Sequence, residues 1–184
     1  MNPTMKTPRR RARAGFTLIE LLTVIAIVAI LIGLTVAIVG FAQEKAAEKK
    51  TEAALAVIEA GLKRYYHRHG EYPEPTKNTG SGVEGAVCLY QALNDDGNDH
   101  IVGGGGVGSD GDAGPDKLVD LISEGLVAKD SSGNYFVKDG FDRPYLYMVY
   151  DEANPDATHQ KTFDLWSYAT DKKRNNEAKW VKNW

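Results

Sequence analysis

Few residues in this chain are placed to do chemistry. Glu20 is the one ionisable side chain between Arg13 and Glu44, in a run that is otherwise apolar. A carboxylate at a bilayer centre costs about 2.5–3.5 kcal/mol on insertion scales, and less near an interface where water reaches it. The first turn of a helix also favours negative charge. Wherever the run packs away from water, Glu20 therefore needs a cation. Elsewhere, His67 and His69 stand two apart at the end of a helical stretch, so they cannot share one face as metal ligands would. His100 and His159 fall in loops, and Ser123, Ser131 and Ser167 lie outside any nucleophile motif. Cys88 sits in the apolar run 86–90 and reads as a buried core thiol with no disulfide partner. With no nucleophile and base in view, an enzyme is not expected. The acidic runs 94–99 and 110–112 lack EF-hand spacing and read as solvated loop. The glycines 103–106 lack the Lys-Ser/Thr that a phosphate cradle requires.

Charge separates the chain into two parts. Residues 1–15 hold Lys6, Arg9, Arg10, Arg11 and Arg13 and no acid, so the net −3 divides into +5 there and −8 in the remainder. An acidic body argues against nucleic acid, since phosphate binding needs clustered Lys and Arg. The basic leader reads instead as a cytoplasmic orientation signal.

The elements that must position Glu20 follow from composition and period. Residues 21–42 carry no charge and span about 33 Å as a helix, enough for a bilayer core. A secretory signal peptide would have a shorter apolar core of about 7–15 residues and a small-x-small site. Residues 40–42 match such a site loosely, but the run is too long and holds an acid. From 43 to 69 the chain lacks proline and is rich in Ala, Glu, Lys and Leu, with Leu55, Ile58, Leu62 and Tyr65 on one helical face. Gly70 and Pro73 end it. One helix of about 80 Å over residues 16–69 is expected, apolar all round first and amphipathic afterwards. Beyond it, residues 84–93 and 116–124 predict short helices, and 135–138, 145–150 and 163–168 predict strands in an antiparallel meander. The Gly/Asp-rich stretch 94–115 reads as an insertion or a mobile loop. The fold class is α+β: a long N-terminal helix packed on a small antiparallel sheet. The expected organisation is a leader over 1–15, an apolar membrane and assembly helix over 16–42, an amphipathic continuation over 43–70, and a globular domain over 71–184.

Gly15-Phe16-Thr17-Leu18-Ile19-Glu20, directly after the basic leader, resembles the prepilin signature of type IV pilins and type II secretion pseudopilins. The resemblance implies a pilin-like fold, cleavage between Gly15 and Phe16 by a prepilin peptidase, and methylation of the new Phe16 amine. It also implies that Glu20 of one subunit pairs with the Phe16 amine of another during assembly. Residues 70–73, 142–147, 163–168 and the closing Asn183-Trp184 are similar to the major pseudopilins, while residues 74–138 depart from them. The implied function is that of a subunit of a periplasmic pseudopilus in a type II secretion system. The subunit would be single-pass in the inner membrane, with its C-terminal domain periplasmic. Its implied partners are copies of itself, minor pseudopilins, the inner-membrane assembly platform and the prepilin peptidase. A type IV pilin subunit for adhesion, motility or DNA uptake is the alternative.

Major pseudopilins carry one calcium in the loop after the Ser-Tyr strand, and the resemblance puts Asp171 at that position; Glu177, Asn175, Asn176 and backbone carbonyls are the further oxygen ligands this chain offers for a weak site. Between Asp171 and Glu177 stand Lys172, Lys173 and Arg174, three successive cations beside a site that would need six to eight oxygens. Packing of Trp166, Trp180 and Trp184 is the competing way to hold the loop.

Overall fold

The structure, a computed structural model, describes residues 15–184, so the leader lies outside it except for Gly15. The chain divides into two units, Met1–Ala42 and Gln43–Trp184.

The first helix, α1, spans Leu18–His69. In the first unit its large apolar side chains from Leu18 to Leu34, and those of Val39 and Phe41, are exposed. By length and composition this stretch can cross a membrane. Its hydroxyls are satisfied within the helix: Thr23 donates to the Glu20 carbonyl at 2.9 Å and Thr35 to the Leu31 carbonyl at 2.7 Å. Such back-bonding is what a hydroxyl surrounded by lipid requires.

In the second unit α1 is two-faced. Lys45–Glu48 and Lys49–Glu52 form i,i+3 ion pairs at 2.6 Å on the solvent side, where exposure to water and salt leaves them weak. Ala54, Leu55, Ile58 and Leu62 are buried on the other, with Tyr65 half-buried. Gly61 sits where a Cβ would lie 2.6 Å from Val119 Cγ2 and 3.0 Å from Leu93, so the absent side chain sets the distance of approach. Gly70 takes φ +82° and returns its N–H to the Tyr66 carbonyl, closing the helix.

The second helix, α2 (Glu84–Asn94), is buried over all of Gly85–Asn94 and ends in a left-handed Asp95. Strands β1 (Val127–Lys129) and β2 (Tyr135–Val137) form a hairpin in the register Ala128↔Phe136. A separate antiparallel sheet runs in the order β3 (Leu146–Val149), β4 (Phe163–Ser167), β5 (Val181–Lys182). One core joins Leu55, Ile58 and Leu62 of α1 to Cys88, Leu89 and Leu93 of α2, and to Val137, Tyr145, Tyr147, Phe163 and Leu165.

Three expectations need correction. The meander is split: β2 and β3 belong to different sheets, linked by the bridge Lys138↔Pro144, a Tyr145 N–H to the Val137 carbonyl at 3.1 Å and an Asp139 N–H to the Arg143 carbonyl at 2.7 Å. Pro144 has no N–H to extend a ladder, and the preceding loop is wound around the Asp139 carboxylate, which accepts from Phe141 and Arg143 amides. Residues 116–124 form turns and bends, not a helix: the Asp116 and Leu118 carbonyls, which a helix would bond to the amides at 120 and 122, accept instead from Arg68 and Arg64 of α1, each at 2.9 Å. The acidic loop after α2 is tied down rather than free. Its buried Asp96 accepts from the Tyr90 hydroxyl at 2.5 Å and from the Asp110 and Gly111 amides at 2.9 Å.

Candidate functional site

The residues singled out at the N-terminus lie in one short exposed segment. Gly15, Phe16 and Thr17 are outside the helix, which begins at Leu18. Gly15 and Phe16 are both exposed, and a Cβ at Gly15 would meet nothing within 4 Å among the described residues. Phe16 itself is 84% exposed.

Glu20 is the third residue of α1, and its side chain turns back to the helix start. Its Oε2 accepts from the Thr17 amide and from the Thr17 hydroxyl, each at 2.8 Å. The Thr17 hydroxyl in turn accepts the Glu20 amide at 3.3 Å. This reciprocal pattern is a capping box, with Thr17 as the N-cap and Glu20 three residues on. It satisfies two backbone donors that a helix start leaves without partners, and it lies where the helix dipole favours a carboxylate. Sequence reasoning treated Glu20 as a charge waiting for a cation and missed this local role. The signal was present in Thr17-Leu18-Ile19-Glu20, an S/T-x-x-E pattern leading into an apolar run. Only Oε2 is engaged among the described residues, so the carboxylate keeps acceptor capacity for a further donor.

The two C-terminal carboxylates named as calcium candidates have separate partners. Asp171 is buried to 5% exposure, and N–H donors occupy both its oxygens. Oδ1 accepts the Lys173 amide at 3.0 Å; Oδ2 accepts the Asn176 amide at 2.7 Å and the Trp180 indole N–H at 3.1 Å. The Asn176 amide is the largest influence holding this carboxyl down to about 2, with the Trp180 indole adding to it and burial opposing. Glu177 instead pairs with Lys182 Nζ and accepts the Trp184 indole N–H at 3.0 Å, and both hold its pKa below the ordinary value. Carboxylate lone pairs already filled by N–H donors do not offer the oxygen shell a calcium ion needs.

The remaining candidates are structural in placement. Cys88 is fully buried, donates to the Pro73 carbonyl at 3.5 Å, and burial pushes its thiol well above the ordinary range. His100 Nδ1 meets Glu84 at 2.8 Å and His159 Nδ1 meets Asp164 at 2.8 Å. These His–carboxylate pairs were invisible in sequence, since each partner is supplied by a different element. Asp164 also accepts the His159 and Gln160 amides, which makes it the anchor of its loop.

A family model described as the prokaryotic N-terminal methylation motif matches residues 10–36. That stretch contains Gly15, Phe16, the capping box and most of the apolar run. No curated protein and no solved structure matches the chain. The motif supports a type IV pilin-like or pseudopilin reading and, with it, processing by a prepilin peptidase and self-assembly; the apolar helix is compatible with membrane anchoring.

Proposed function

We propose that this chain is a pseudopilin, most like the major subunit, of a type II secretion system. Cleavage between Gly15 and Phe16 leaves a new amine at Phe16, which is then methylated. The mature subunit waits in the inner membrane through residues 16–42, with its C-terminal domain in the periplasm, and is drawn into a periplasmic filament of its own copies. Minor pseudopilins and the membrane assembly platform complete the partner set.

The observation that carries this reading is the start of α1: an exposed Gly15 and Phe16 followed at once by Glu20 within the methylation motif. In the isolated subunit Thr17 occupies Oε2 of Glu20, so the carboxylate is held at the helix start with no cation beside it among the described residues. On packing against a second copy, water leaves and the Phe16 ammonium of that copy supplies the missing charge. Charge-assisted hydrogen bonds of this kind are roughly twice as strong as neutral ones.

The test is Glu20→Val in a secretion-competent cell. The expected result is a variant recovered in the membrane fraction in normal amount but absent from isolated periplasmic filaments and from self-crosslinks between apolar helices. Normal filament yield from that variant would overturn the pairing.

A further inference from the structure

We propose that the C-terminal segment, residues 169–184, is closed by a metal-independent clasp in which Asp171 is the central acceptor and Trp180 and Trp184 are the anchors. The ion implied by the resemblance to major pseudopilins has no place at Asp171. The inference rests on which atoms already fill the carboxylate.

Three N–H groups converge on Asp171, from Lys173, Asn176 and Trp180, and they bring the positive ends of their dipoles to both oxygens. A divalent ion at the same oxygens would face those hydrogens. Around them the exposed Lys172, Lys173 and Arg174 add positive charge, and none of the three has a carboxylate partner among the described residues. The Arg174 guanidinium lies 5.2 Å over the Tyr168 ring, and Tyr168 meets Trp180 edge-on at 4.9 Å. The turn therefore neutralises its buried carboxylate with dipoles and stacks its cation on an aromatic face.

The far end of the segment is held by a second group of contacts. Trp184 stacks on His159 at 4.3 Å and meets Trp166 edge-on at 5.7 Å. Its indole donates to Glu177, and Lys182 Nζ sits 4.9 Å over its ring. Backbone closure follows through β5, where Lys182 pairs with Trp166, and through Asn183, whose Oδ1 accepts the Leu165 amide at 2.8 Å. Glu177 is spent on this second group and does not join Asp171. Among the described residues, no three His, Cys, Asp or Glu side chains gather as a metal site.

The experiment is thermal unfolding of the full-length protein in detergent micelles, in calcium and in chelator, for wild type, Asp171→Asn and Trp180→Phe. The expected result is a wild-type midpoint that is the same in both conditions. Each variant should melt several degrees lower, by an amount that does not depend on calcium. A calcium-dependent rise of the wild-type midpoint that disappears in Asp171→Asn would overturn the proposal, as would variants that melt like wild type. Should Asp171→Asn fail to fold, terbium luminescence sensitised by tryptophan decides between the same alternatives. Emission lost in Trp180→Phe overturns the clasp, and emission unaffected by that substitution supports it. Melting requires no assembly, so this outcome is separate from that of the filament reading.

Discussion

Tyr145 and Tyr147 look alike in sequence, two aromatic residues on one strand stretch, yet their hydroxyls are in opposite situations. The Tyr145 hydroxyl donates to the Thr51 carbonyl of α1 at 2.6 Å, whereas the Tyr147 hydroxyl is buried without a partner among the described residues. A buried unsatisfied hydroxyl costs about 1–3 kcal/mol, and a made hydrogen bond contributes about 0.5–1.5 kcal/mol. Tyr147→Phe is therefore expected to raise the melting midpoint and Tyr145→Phe to lower it; the same sign for both would contradict this assignment. Asp171 makes a prediction in pH. Its folded carboxyl titrates near 2 because N–H donors hold it charged, while an unfolded aspartate titrates at about 3.9. Its stabilising contribution is thus complete above about pH 4 and lost as pH falls towards 2. The stability gap between wild type and Asp171→Asn should narrow across that interval in urea titrations. A gap independent of pH would mean that the carboxylate's charge is not what closes the turn. Which of these residues mattered was only partly legible in the sequence. Asp171 was found by resemblance, but its donors could not be counted, because backbone amides leave no trace in residue identity.

At the scale of elements, α1 and the strands β2, β3 and β4 were legible, and the way the strands divide between two sheets was not. Helical period and composition announce α1 over dozens of residues, since propensity and the apolar stripe agree along its length. Strands of two to five residues carry too few positions for period to show. β1 and β5 escaped notice for that reason, and the expected meander was divided by a loop wound on Asp139. The expected helix at 116–124 failed because carbonyls it would need, those of Asp116 and Leu118, are claimed by Arg68 and Arg64 of α1, a tertiary demand that no local pattern records. α2 itself shows how tightly the elements fit. A Cβ on Gly85 would lie 2.6 Å from the Tyr147 backbone oxygen and 3.0 Å from its nitrogen. Gly85→Ala would gain about 1 kcal/mol of helix propensity in an open helix. Here it is expected to lower the midpoint, because β3 backbone cannot move aside as a side-chain tip would. Overpacking of this kind costs about 1–3 kcal/mol, and a rise on substitution would mean that α2 and β3 are not so close.

For the whole molecule, the functional reading depends on how one end of the chain is processed. The C-terminal domain supplies a core, a tied acidic loop and a closed terminus, and its histidines and cysteine are held in structural contacts. The N-terminal motif supplies an exposed Gly15 and Phe16, a capping box that holds Glu20 in place, and an exposed apolar run that needs either lipid or other copies of itself. The motif was readable from residue identities because processing acts on a short linear stretch. The capping box, equally local, was readable in principle through Thr17 and Glu20. The central claim is that maturation occurs at Gly15–Phe16 and creates the amine that Glu20 meets. Its most direct test is the intact mass, with N-terminal fragmentation, of the chain purified from cells that carry a prepilin peptidase. The account predicts a mature chain beginning at Phe16 and bearing one extra methyl group on its amine. A chain that begins after Ala42, or one that keeps its leader in the presence of the peptidase, would contradict it.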